Sequence, residues 1–188
     1  MQIKSKYIQN WGKIDLSKVK DNSKIPIIHI IGYVGAGKST FVKKYLGKFP
    51  IFDIKDIYQN NFFNPKDLQG KPEKYLQFQS ALDYSFSQFY KNLELNHIPI
   101  GIVESSGINR ALNNILRRFY VYRIWIIPFD LNRKIKQSEI CKDKPYAKEL
   151  NSHLMEKFEK NEVPFNNQYN FIDESFIKDL PEIIKKYF

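Results

Sequence analysis

The sequence predicts an α/β fold in which a parallel sheet carries helices on both faces. Three observations support this. Short β-rich apolar runs alternate with longer stretches of helical periodicity along the chain. The first of these runs, Ile25-Pro-Ile-Ile-His-Ile-Ile31, is almost wholly apolar and β-branched, as a central strand covered on both sides must be. With 188 residues, 43% of them hydrophobic, the chain has enough material for one sizeable core. No internal repeat is visible, and the nine prolines are scattered rather than gathered into a linker.

Residues 1–24 are polar and lysine-rich, with Trp11 as their one large anchor, and read as a basic appendage preceding a domain over 25–188. In the first strand Pro26 occupies an early position, where a missing ladder donor is tolerated. A helix is expected from Lys38 to about Gly47, followed by a second strand over Pro50–Ile54. From Glu73 to Leu95 the residues Tyr75, Phe78, Leu82, Phe86, Phe89 and Leu93 recur at steps of three or four, which predicts a long helix with one buried aromatic face. Pro99–Val103 is the third strand. Ile108–Arg118 is the next helix, through Ile108, Leu112, Ile115 and Leu116. Tyr120–Pro128 is the fourth strand. Residues 131–160 are helical but more charged and are interrupted at Asp143-Lys-Pro145. Asn170–Asp173 is expected as a short fifth strand, and Phe176–Tyr187 as the closing helix.

Composition excludes several classes of function. A lone cysteine, Cys141, rules out a disulfide framework, and no His/Cys set has zinc-ligand spacing. No apolar run approaches the roughly 20 residues of a membrane span, and residues 1–10 lack a signal-peptide core. The expectation is a soluble, cytoplasmic protein. The formal charge of +10 invites a nucleic-acid reading. Yet only five of the 30 basic residues are arginines, at 110, 117, 118, 123 and 133, and the lysines form no dense run. A lysine-rich composition is the favoured account, with nucleic acid as a less favoured partner.

The strongest chemical signal is Gly32-Tyr-Val-Gly-Ala-Gly-Lys-Ser39, which satisfies the G-x-x-x-x-G-K-[ST] spacing after an expected strand and before an expected helix. Glycines there leave backbone N–H groups free to converge on phosphate oxygens at the positive end of a helix. Gly32, Gly35, Ala36, Gly37, Lys38, Ser39 and Thr40 are therefore the candidate nucleotide-binding set. Lys38 neutralises the β- and γ-phosphates in this reading, and the Ser39 hydroxyl holds Mg²⁺. Glu104 ends an apolar strand, where a carboxylate can reach the metal through water or contact an acceptor. Asp56 follows the second strand, and its two readings are an acceptor-facing carboxylate or a helix cap. Ser105-Ser106-Gly107 has a capping role open to it at the helix starting near Ile108. His29, inside the first strand, reads as a satisfied core residue.

On Gly32–Thr40, Phe52-Asp-Ile-Lys-Asp-Ile-Tyr58 and Ile102-Val-Glu-Ser-Ser106, the chain resembles the P-loop nucleoside and nucleotide kinases, among them the adenylate-kinase-like, shikimate-kinase-like, thymidylate-kinase-like and zeta-toxin-like proteins. In element order the resemblance extends over residues 25–188. It implies a three-layer fold with a five-stranded parallel sheet in the order 2-3-1-4-5 and a small helical lid at about 131–150. It also implies an ATP- and Mg²⁺-dependent phosphotransferase acting on a hydroxyl or phosphate of a small acceptor such as a nucleoside or nucleotide. Asp56 is the best match to the family's acceptor-side acid, with Asp53 second. The family's arginine after the third-strand acid is Ser105 here, and Arg110 is the substitute. Arg133 is the favoured lid clamp, ahead of Lys134 and Lys142, although a solvated helix face accounts equally for those lysines. Asn167, or a backbone carbonyl near it, is placed by the resemblance against the adenine.

The alternative is a nucleic-acid-associated P-loop ATPase or a polynucleotide-end kinase. A guanine-reading N-K-x-D sequence is absent, which argues against a Ras-like GTPase, and no Asp-Glu pair of the ring-ATPase kind ends a strand.

Overall fold

A computed structural model describes residues 25–60, 68, 71–127, 145–160, 162–163, 165–170 and 172–188. The basic appendage, Arg133, Lys134, Lys142 and most of the expected lid lie outside the described residues.

Five parallel strands form one sheet in the order β2-β3-β1-β4-β5. β1 spans Ile27–Gly32 and is buried throughout, which is why its sequence is continuously apolar instead of alternating. It pairs with β3, Gly101–Glu104, and with β4, Val121–Ile127. β2, Ile51–Asp53, adds to β3, and β5, Asn167–Asn170, adds to β4.

Each face has its own core. On one, Ile28 and Ile30 of β1 join Phe41, Leu46, Trp125, Leu154, Phe176 and Ile184. They lie under α1 (Lys38–Phe41, continued as a π-helical turn over Val42–Leu46), under α5 (Pro145–Glu159) and under the C-terminal segment. On the other face, Ile27, Phe52 and Val103 meet Phe78, Leu82, Phe86 and Leu93 of α3 (Pro72–Leu95), together with α4 (Arg110–Leu116) and α2 (Ile54–Asn60). The aromatic stripe of α3 is core, as its spacing predicts: Phe52 packs edge-on against Phe86 at 5.3 Å between ring centroids.

Several element boundaries differ from the sequence expectation. β2 ends at Asp53, because the Asp53 carboxylate accepts the Lys55 N–H at 2.9 Å and turns the chain into α2 at once. α4 is capped by Asn109, whose Oδ1 accepts the Leu112 N–H at 2.9 Å, so the Ser105-Ser106-Gly107 cap is not realised and the helix starts two residues late. β5 lies at 167–170 and not 170–173. Its polar residues are tolerated at a sheet edge, and the Asn166 Oδ1 to Arg123 N–H bond at 2.7 Å fixes its entry. The closing helix is split into a 3₁₀ turn, Ser175–Asp179, and a short α6, Glu182–Lys185. Pro181 brings no N–H and holds Leu180 in an extended conformation, ψ 145°. The described part of the expected lid, 145–150, is the first turns of α5, and Ala147 there is fully buried. Among the described residues no helix is long and apolar enough to cross a membrane.

Candidate active site

The site lies at the C-terminal edge of the sheet, in the crevice where strand order reverses beside β1. The chain leaves β1 at Gly32 and turns through Gly35 (φ 84°) and Gly37 (φ 94°) into α1, a left-handed backbone that only glycine adopts cheaply. Gly32 is required for a further reason: a Cβ there would lie 2.4 Å from the Ile126 carbonyl oxygen of β4. Beneath the loop, Tyr33 packs edge-on against Trp125 and Ala36 is buried, so the loop rests on core.

Lys38 folds back over this loop. Its Nζ donates to the carbonyl oxygens of Tyr33 at 2.8 Å and Gly32 at 3.1 Å. Burial lowers its pKa to about 8, partly countered by the carboxylates of Glu104 and Asp53, with the neighbouring Lys55 lowering it further. Ser39 and Thr40 are exposed. Ser39 Oγ donates to Oε1 of the buried Glu104 at 2.7 Å, joining the phosphate loop to the end of β3.

The end of β2 brings a second carboxylate. Asp53 is in register with Glu104 across the β2–β3 ladder. Lys55 Nζ sits 3.1 Å from Asp53 Oδ2 and 3.7 Å from Glu104 Oε1. Asp53, not Asp56, is thus the carboxylate joined to the Lys38–Ser39–Glu104 group; Asp56 is exposed in the first turn of α2. Arg110 is exposed at the first turn of α4, which follows the loop after Glu104. The walls on this side are tied by Asn109 Nδ2 donating to Tyr58 Oη at 3.0 Å, with Tyr58 stacked on Phe78 at 4.9 Å.

Asn167 does not sit where the resemblance implied. Its Nδ2 donates at 2.7 Å to Tyr122 Oη. Tyr122 pairs with Ile28, four residues before Gly32, so the amide reaches away from the phosphate loop. Asn167 opens β5, and in a parallel sheet the start of a strand lies away from the C-terminal edge that carries the phosphate loop. His29 is a core residue, fully buried, but it is satisfied at one ring nitrogen only, since its Nδ1 has no partner among the described residues. Its Nε2 lies 2.7 Å from Ser105 Oγ, which also accepts the Gly107 N–H at 3.0 Å, and burial, with Arg123 nearby, holds its pKa well below the usual imidazole value.

Three contributors were not picked out from the sequence. Lys55 is one. Another is Asn151 on α5, fully buried, whose amide accepts the Val34 N–H at 2.8 Å and donates to the Val34 carbonyl at 3.1 Å. A signal for it exists: Asn151 is a polar residue on the stripe between Ala147 and Leu154, which are otherwise apolar and buried. The Tyr58–Asn109 tie is the third, and nothing in the sequence points to it.

The donor set suits Mg²⁺. Ser39 Oγ and the Glu104 carboxylate are hard oxygen ligands, and no group of three or more His, Cys, Asp or Glu among the described residues forms a metal cage. One hydroxyl and one carboxylate completed by phosphate oxygens and water is how Mg²⁺ is ordinarily bound.

The parallel sheet in the order 2-3-1-4-5, with helices on both faces and the phosphate loop between β1 and α1, is a three-layer α/β P-loop fold. No protein-family model and no curated protein matches the chain. Among solved structures it is similar to shikimate kinase from Acinetobacter baumannii, with 14% identity over 82% of this chain and 87% of that one, at a TM-score of 0.47. It is also similar to deoxyadenosine kinase from M. mycoides, with 17% identity over 79% and 92% and a TM-score of 0.45. A third similarity is to a chain of the Pnkp1/Rnl/Hen1 complex, with 14% identity over 62% of this chain and a TM-score of 0.45. This chain spans 40% of the length of that one. At these scores the likenesses add nothing to the fold, which the strand order and the loop define.

Proposed function

We propose that the protein transfers the γ-phosphoryl group of Mg²⁺-bound ATP to a hydroxyl or phosphate of a small acceptor such as a nucleoside, a nucleotide or another metabolite. The observation that carries this reading is the joined set Lys38–Ser39–Glu104–Asp53: a folded phosphate loop whose metal-side hydroxyl is bonded to a buried carboxylate, with a second carboxylate beside it at the end of the next strand.

Each residue has a task that needs little covalent chemistry. Loop amides from Gly35 to Thr40 face the phosphates at the α1 N-terminus. Lys38 exchanges its two carbonyl acceptors for β- and γ-phosphate oxygens. Ser39 and Glu104 would hold Mg²⁺, which when bound would offset the negative charge of the phosphate oxygens. With a hydroxyl acceptor, the bond between the γ-phosphorus and the bridging oxygen breaks, the acceptor oxygen bonds to phosphorus, and Asp53 takes the acceptor proton. With a phosphate acceptor, Asp53 orients it and no proton moves. Asp53 replaces Asp56 as the preferred acid, because Asp53 belongs to the joined set. Arg110 faces the acceptor, and Arg133 supplies the lid cation. A cytoplasmic setting, where ATP is plentiful and Cys141 stays reduced, fits this activity.

The test is incubation with Mg²⁺ and γ-labelled ATP over a panel of nucleosides, nucleotides, sugars and polynucleotide ends. Label should reach one acceptor class, and Lys38→Met should abolish it. Tight Mg·ATP binding with no transfer to any of these would overturn the phosphotransferase reading.

A further inference from the structure

Asp53 and Glu104 are opposite one another in the β2–β3 ladder, so their side chains leave the same face of the sheet one strand spacing apart, about 4.8 Å. Two neighbouring carboxylates, one of them buried, repel unless a cation lies between them. Lys55 is that cation. Its ammonium is 3.1 Å from Asp53 Oδ2 and 3.7 Å from Glu104 Oε1. The same Glu104 oxygen accepts the Ser39 hydroxyl, the two groups to which Mg²⁺ is assigned above.

The ammonium is therefore placed against the oxygen that a divalent ion would use. Lys55 is also built to leave. It starts only two residues after Asp53, and its side chain is 58% exposed while those of Asp53 and Glu104 are 22% and 4% exposed, so the ammonium can swing into water and leave the carboxylates in place.

We infer that Lys55 is an internal stand-in for the divalent ion, and that it makes metal entry depend on nucleotide. A bare ion must compete with an ammonium that already bridges both carboxylates and offsets one of their two charges. An ion arriving on a triphosphate brings anionic ligands of its own, and these attract the released ammonium. The exchange is then favourable only for the complex, and the site declines free metal. This deepens the proposed function and rests on its assignment of Ser39 and Glu104 to the metal.

The test uses Mn²⁺ as the probe and reads free ion by its paramagnetic resonance signal. With no nucleotide present, Lys55→Met should bind Mn²⁺ at least about tenfold more tightly than the unaltered protein, since a positive charge within 4 Å of the ligand oxygen has gone. Lys55→Gln should do the same, which guards against a folding fault in one variant, and Lys55→Arg should keep the ion out. With ATP added, the gap between the proteins should narrow. Equal Mn²⁺ affinity in the unaltered and Lys55→Met proteins, or weaker binding in the variant, overturns the inference. Failure of the unaltered protein to bind Mn·ATP at all would instead remove the proposed function, while the comparison on bare Mn²⁺ would still read out Lys55.

Discussion

Raising the pH through 8 should strip the proton from Lys38 in the nucleotide-free protein, and nucleotide should put it back. Burial sets the free value near 8, whereas triphosphate oxygens around the ammonium restore its ordinary value of 10.5 or above. Binding at pH 8 then takes up about half a proton, falling to about 0.1 at pH 7. Because only the protonated lysine binds the triphosphate well, affinity at pH 9 should be about tenfold below that at pH 7. Lys55, with its pKa raised, and His29, with its pKa lowered, do not titrate in this interval. The stability sign follows from the same group. Between pH 8 and 10.5 the unfolded chain holds the proton and the folded chain does not, so stability of the free protein rises with pH there, by about 3 kcal/mol over the full interval. Calorimetry of Mg·ATP binding in two buffers of different ionisation enthalpy measures the uptake directly. Binding at pH 8 with no buffer dependence would refute the reasoning, since Lys38 would then be either fully charged beforehand or away from the phosphates.

Three further outcomes follow from the site. Asp53→Asn should lower kcat by about 10²–10⁴ with a hydroxyl acceptor while leaving Mg·ATP binding in place, and Asp56→Asn should change kcat by less than about threefold, as steady-state kinetics will show. Asn151→Leu should leave the Val34 N–H and carbonyl without their amide partner, lowering stability by about 1–3 kcal/mol in denaturant titration and weakening ATP binding. Gly107→Ala should cost about 1–3 kcal/mol, because φ is 93° there and the added Cβ would press on Ile31 side-chain atoms at 3.1–3.3 Å; thermal unfolding reads it.

Where apolar pattern decides structure, the sequence was readable. β1 is continuously apolar because both its faces are covered, and α3 shows its buried face in every third or fourth residue. The phosphate loop was equally legible, since its glycines answer to backbone geometry. Legibility failed where a hydrogen bond or a register decides. Asp53 ends β2 by capping its own turn, a local event that no periodicity announces. β5 has almost no apolar pattern and exists through its ladder to β4, so its position differs from the expectation by three residues. The Lys55 bridge depends on β2 and β3 being neighbours in register, which is a property of the assembled sheet.

The central claim is that Lys38, Ser39, Glu104 and Asp53 act together on a Mg²⁺-bound triphosphate. Single-turnover transfer from γ-labelled ATP, measured for the unaltered protein beside Lys38→Met and Glu104→Gln, tests it most directly. Labelled acceptor product in the first, with both variants slower by about 10² or more, is the predicted result. Transfer that survives undiminished in either variant would contradict the account.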